Sequence, residues 1–132
     1  MMSPEVPIRA TRRSDVAGIL ALVATCYSEY GMVLRAELEE QHLLAPGSYF
    51  RESGGEFWVG TSAGAIVATC GVKLHGDSGE LKTLYVHPAH RRLGIARRLV
   101  VAAITHAELA RKRRMILWSD TRFTDAHRLY RG

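Results

Sequence analysis

The sequence predicts an α/β (α+β) fold in which helices cover a mixed central sheet, and three observations carry that reading. Apolar positions alternate between strand-like and helix-like spacing, giving the order strand, two helices, three strands, helix, strand, helix. Strand-like stretches in the middle of the chain are joined by short glycine-bearing turns at 61–64 and 75–79, which favours antiparallel neighbours. A long amphipathic stretch from about residue 93 to 111 presents Ile95, Leu99, Ala103, Ala107 and Ala110 as one apolar stripe. With 132 residues and 47% hydrophobic content, residues 1–132 suffice for one domain around a sheet.

Residues 6–11 alternate weakly and form a short first strand. Ser14 and Asp15 are good N-cap residues, and Ile19, Leu20, Leu22 and Val23 follow at helical spacing, which places the first helix. Residues 27–31 break it, and 35–44 form a second short helix ended by Ala45-Pro46-Gly47. Strands at 57–60, 65–74 and 80–86 come next, then the long helix and a short strand at 115–118. Thr124 and Asp125 cap a last helix that reaches Tyr130. No repeat, linker or low-complexity tract interrupts the order.

The apolar runs are too short or too interrupted to cross a bilayer, so no membrane partner is expected. The start, Met1-Met2-Ser3-Pro4-Glu5, does not resemble a secretory signal. Cys26 and Cys70 lie far apart in a chain large enough to fold without staples, which favours buried, unpaired thiols and a cytoplasmic location. The net charge of +5 is gathered in the second half, at Arg91-Arg92, Arg97-Arg98 and Arg111-Lys112-Arg113-Arg114, and points to an anionic partner. The last of these runs suits a helix C-terminus, where cations complement the dipole; nucleic-acid binding is the lesser alternative.

The segment 87–99 is the most informative. Pro88 turns the chain out of a strand, Arg91 and Arg92 put cations at the rim, and Gly94 and Ala96 let the backbone approach a ligand where a long helix begins. A helix N-terminus exposes unpaired N–H groups and partial positive charge, a ready site for diphosphate. The spacing is neither that of a Walker loop nor that of a three-glycine dinucleotide fingerprint.

The run from Glu80 through His87-Pro88 to Ala96 carries Arg91, Gly94 and Ala96 in the spacing Arg/Gln-x-x-Gly-x-Gly/Ala, and Ala126 precedes Tyr130 by four residues. These features closely resemble the GNAT superfamily of acyl-CoA-dependent N-acetyltransferases. The resemblance implies a largely antiparallel sheet whose central strands, 80–86 and 115–118, splay apart to admit an acyl thioester. It implies acetyl-CoA as co-substrate, with no metal. The backbone amides of Arg91, Arg92, Leu93, Gly94, Ile95 and Ala96 would hold the pyrophosphate. The main chain of Leu84, Tyr85 and Val86 would pair with pantetheine as an added strand, with an oxyanion donor near Val86. The implied reaction moves an acetyl group directly, in a ternary complex, to the primary amine of a small molecule or peptide.

By the same resemblance Glu80 stands where some relatives have a general base, and its other reading is a solvated residue after Gly79. Tyr130 stands where many relatives have the acid for the leaving thiolate, and its other reading is core packing. His87, His90 and His127 show no metal-site spacing and read as surface or loop residues. Acceptor recognition would fall to Tyr27, Glu29, Tyr30 and Arg35, with Trp118, Ser119 and Asp120 beyond the later strand. An acidic residue and tyrosines suit a cationic amine, and Arg35 suits a carboxylate.

The sequence departs from the family in two places. It stops at Gly132, where relatives continue into a final pair of strands, so a C-terminally truncated domain is expected, with 115–118 as a bare edge. A homodimer through that edge would complete the sheet, and a CoA-binding module with impaired catalysis is the alternative function. Phe123 occupies a position where many relatives carry an Asn that contacts the cofactor.

Overall fold

The computed structural model describes residues 6–36 and 40–117. Among the described residues five strands, β1 (Ile8–Ala10), β2 (Glu56–Ser62), β3 (Ala65–His75), β4 (Ser78–Val86) and β5 (Arg114–Leu117), form one sheet in that spatial order. Neighbours are antiparallel except β4 and β5, which run parallel and are joined by a helical crossover. Helices α1 (Val16–Ser28) and α2 (Pro46–Glu52) cover one face, and α3 (Ile95–Leu109) covers the other.

Each face has its own apolar core. Helix α1 buries Ile19, Leu22, Val23, Cys26 and Tyr27, the spacing of one helical stripe, and packs with Leu43, Phe50, Phe57 and Val59. Helix α3 buries Ile95, Leu99, Ala103 and Ala107 against Ala68, Cys70, Val72 and Leu81. Ala110 falls just past the helix and is exposed, so the expected stripe is one residue shorter. Both cysteines are buried and unpaired. Gly71 permits a close approach: a Cβ there would stand 2.5 Å from the fully buried ring of Phe50, which α2 packs against β3.

The strands and the long helix agree with their expected bounds to within two residues. The turn between β2 and β3 is the two-residue loop Ala63-Gly64 with positive φ at both positions, as a type I′ hairpin requires. In the α1–β2 connection the described part of 35–44 is helical at Ala36, whose carbonyl accepts from the Glu40 N–H at 3.1 Å, and forms a 3-10 turn at Gln41–Leu44. Pro46, expected to end a helix, starts α2 instead. At the first helical position proline loses no hydrogen bond, and its fixed φ suits the turn. Asp15 holds the N-cap position of α1, as expected, but it also closes a 3-10 turn at Arg13–Asp15, and its carboxylate accepts from the Arg12 N–H at 2.7 Å rather than from the helix. The expected last helix, 124–130, lies outside the described residues.

Candidate active site

Strand β4 carries an irregularity that shapes the site. Thr69 pairs with Tyr85 but Gly71 pairs with Lys82, so Thr83 and Leu84 together oppose Cys70. This is a β-bulge, and Thr83 sits in it at φ 59°. The Thr83 carbonyl accepts from Thr69 Oγ1 at 2.9 Å, and its own Oγ1 lies 2.7 Å from His42 Nε2. A β-branched residue with positive φ is strained, and strain of this kind collects at functional positions. On the other edge, β5 pairs with Ser78–Leu81, and among the described residues no strand pairs with 82–86 on that side.

The bulged half of β4 leads into the loop that the sequence singled out. His87 N–H donates to the Val67 carbonyl at 2.8 Å, a 3-10 turn covers Pro88–His90, and Nδ1 of His87 accepts from the Ala89 N–H. The backbone then enters the left-handed region at Arg92 (φ 65°) and again at Gly94 (φ 78°), the residue that caps α3. Backbone that alternates in this way turns successive N–H groups into an anion-binding concavity. Gly94 has no side chain to cap the helix, and among the described residues a Cβ placed on it would meet nothing within 4 Å, so the N-terminus of α3 opens outward. Arg92, Leu93 and Gly94 are exposed, whereas Ile95 anchors the helix in the core and Ala96 is half-buried. An open, uncapped N-terminus approached by a glycine fits a pyrophosphate.

Arg91 is held by protein groups. Its Nε donates to the Val86 carbonyl at 3.1 Å, and its two terminal nitrogens reach the Glu29 carboxylate at 2.7 and 2.6 Å. Glu29, expected on the acceptor side, thus ties the end of α1 to the loop. Tyr30 belongs to the same turn, its N–H donating to the Tyr27 carbonyl. Leu84 and Val86 point into the α3-side core, and Tyr85 points to the α1 side.

On that side a polar cluster forms that the sequence did not suggest. Tyr27 and Tyr85 both donate to the Glu40 carboxylate, Tyr85 at 3.1 Å, with their rings 6.4 Å apart. Burial, then the Glu40 and Tyr27 charges, push the Tyr85 phenol well up, so it remains a donor. His42 Nε2 lies 3.7 Å from Glu40. Burial, followed by the charges of Lys82 and Lys73, brings His42 down to about 4, so it is neutral. Glu40 and His42 had no local signal, because Tyr27, Thr83 and Tyr85, which they contact, are 13 to 45 residues away.

Glu80 lies between Lys73 and Ile116 in the sheet, and its carboxylate is 2.8 Å from His75 Nε2. Tyr130, Trp118, Ser119, Asp120, Phe123 and Ala126 lie outside the described residues. Among the described residues no group of three or more His, Cys, Asp or Glu suits a metal ion, and no helix is long and apolar enough to cross a membrane.

The chain matches a family model, Acetyltransferase (GNAT) family, over residues 17–132. No curated protein sequence matches it. Among solved structures it resembles an acetyltransferase of the GNAT family from Staphylococcus aureus Mu50, with a TM-score of 0.88 and 21% identity over 96% of this chain and 81% of that one. A PaiA N-acetyltransferase from Thermoplasma acidophilum in complex with coenzyme A gives a TM-score of 0.78 at 14% identity, over 97% of this chain and 87% of that one. A predicted acetyltransferase from Clostridium acetobutylicum, with acetyl-CoA, gives 0.75 at 12% identity, over 96% and 88%. At such identities the structures establish a shared fold. The family match runs from α1 through the bulged strand and the anion loop, and on it the chain belongs to the GNAT family of acetyltransferases.

Proposed function

We propose that this acetyltransferase moves an acetyl group from acetyl-CoA to a primary amine by direct transfer in a ternary complex. The observation that carries the reading is the outward-opening N-terminus of α3, uncapped and approached by Gly94 at φ 78°, placed straight after a bulged strand with an unpaired edge among the described residues. Bound acetyl-CoA supplies an acyl group already activated as a thioester. The chain's part is to hold the diphosphate on the amides at 91–96 and to offer the main chain of Leu84, Tyr85 and Val86 as an edge for the pantetheine arm.

Direct transfer is favoured because neither cysteine is suited to form an acyl-enzyme. Burial pushes the Cys26 thiol up to about 11 and the Cys70 thiol further, which leaves almost no thiolate near neutrality. The amine must lose a proton and the departing thiolate must gain one. Glu80 is our candidate for the first step, acting directly or through water, and Tyr130 for the second. The amine enters on the α1 side of β4, beside Thr83.

Two measurements test this reading. Calorimetry should show saturable acetyl-CoA binding, and initial rates of thiol release with a primary amine should give intersecting rather than parallel reciprocal plots. Gly94→Glu puts a carboxylate where phosphate should lie and should weaken CoA binding at least about tenfold. Unchanged CoA affinity in that variant overturns the loop assignment.

A further inference from the structure

On the α1 side of the sheet, next to the bulge, two cationic side chains gather over a single aromatic ring. Lys73 of β3 donates to the Tyr49 hydroxyl at 3.2 Å and sits 4.8 Å from the centre of its ring; Lys82 of β4 is 5.8 Å from the same centre. Both lysines and Tyr49 are half-buried. Among the described residues neither ammonium lies in a salt bridge, and Glu80, opposite Lys73 in the register, extends its carboxylate to His75. Two ammonium groups on neighbouring strands that share one ring make this stretch of the surface locally positive, and a bound anion is attracted to it. Their field is felt locally, since it is the second and third cause of the lowering at His42.

The opposite pole is one residue away. The Tyr49 ring packs 5.3 Å from the His42 ring, and His42 Nε2 contacts Thr83 in the bulge and approaches the Glu40 carboxylate. Glu40 is half-buried, with two phenols turned toward it, and suits an ammonium group. A carboxylate, a neutral imidazole, a phenol ring and two ammonium groups therefore follow one another over the α1 side of the sheet, beginning beside the bulged half of β4, whose outer edge pairs with no strand among the described residues.

We infer that the acceptor is a primary amine bearing an anionic group, carboxylate or phosphate, with its amine end at Glu40 and Thr83 and its anion at Lys73 and Lys82. This specificity rests on the acetyl-CoA reading above. Lys73 and Lys82 select the substrate, Glu40 orients the amine toward the bulge, and Glu80, beside Lys73 in the register, reaches the amine's proton through water.

The test uses the full chain, acetyl-CoA and amines matched in length: an ω-amino carboxylate against its amide, and an aminoalkyl phosphate against the amino alcohol. Each compound is assayed by thiol release and titrated by calorimetry into CoA-saturated protein. The anionic member of at least one pair should be preferred at least tenfold in kcat/KM or in Kd, and the pair that shows the preference identifies carboxylate or phosphate. Lys82→Gln and Lys73→Gln should each collapse that preference, mainly through the KM of the anionic acceptor, with thermal midpoints confirming that the variants fold. No preference in either assay, or a preference that survives both substitutions, overturns the inference while the acetyltransferase reading stands. Failure of acetyl-CoA itself to bind overturns both.

Discussion

Arg91 stands where the anion loop, the end of β4 and the end of α1 meet, and its side chain is occupied by Val86 and Glu29. Its contribution to a bound diphosphate is therefore to fix the backbone that offers the amides. A part-exposed bidentate pair of this kind is worth about 0.5–1 kcal/mol, so Glu29→Gln should weaken CoA binding about two- to fivefold. Arg91→Lys, which keeps the charge but loses the fork, should do at least as much. Calorimetric affinities equal to the parent's would mean that the loop orders itself without the clasp. The Arg-x-x-Gly-x-Ala spacing made the loop legible, because the chemistry of an anion site depends on neighbours in sequence. The partner of Arg91 was not legible, since Glu29 is 62 residues away. Nor was the bulge: where glycine would have marked a left-handed position, the chain carries Thr83.

At the scale of elements, α3 ends in a Schellman motif. Lys112 N–H donates to the Ala107 carbonyl and Arg111 N–H to the Glu108 carbonyl, both at 2.9 Å, with Arg111 at φ 61°. Arg113 and Arg114 N–H groups then donate to the Asp77 carbonyl, which fixes the start of β5 against the β3–β4 turn. The basic run that suggested a solvated helix end thus performs the stop and the docking through its backbone. Arg111 is exposed, so its replacement loses little packing. Arg111→Gly should stabilise the fold by about 0.5–1 kcal/mol, the relief of left-handed strain less the added freedom of glycine in the unfolded chain. A urea midpoint that does not rise would show the strain to be absorbed elsewhere. Elements with a sustained apolar stripe, α1 and α3, were readable from spacing alone. Helix α2 was not, because Pro46 is equally at home after one helix and at the start of the next, and only burial of Pro46 and Phe50 decides between them.

Across the whole molecule, acid stability depends on one group held by its sequence neighbours, Asp15, and one held by strands that only the folded sheet brings together, His42. Asp15 accepts both terminal nitrogens of Arg9 at 2.7 and 2.8 Å; hydrogen bonding to Arg9, opposed by burial and helped by the Arg12 N–H, lowers it from 3.8 to about 2. His42 is lowered from 6.5 to about 4. Both shifts have the same sign in their effect on stability. In each pH window the unfolded chain holds the proton and the folded chain does not, so stability falls as pH falls. His42 acts first, between about 6.5 and 4, because folding keeps it neutral while the unfolded imidazole charges. Asp15 acts next, between about 3.8 and 2, because folding keeps it ionised while the unfolded carboxyl protonates. With Asp15 paired to a partly exposed Arg9, its share is about 1–2 kcal/mol, and the half-buried His42 contributes about 2 kcal/mol. Urea midpoints measured from pH 7.5 downward should therefore decline in two stages. His42→Asn should flatten the upper stage and leave the lower, and Asp15→Asn should do the reverse. An upper slope that persists in His42→Asn would mean that the imidazole is open to solvent, and the packing of His42 between Thr83, Glu40 and Tyr49 would then be wrong.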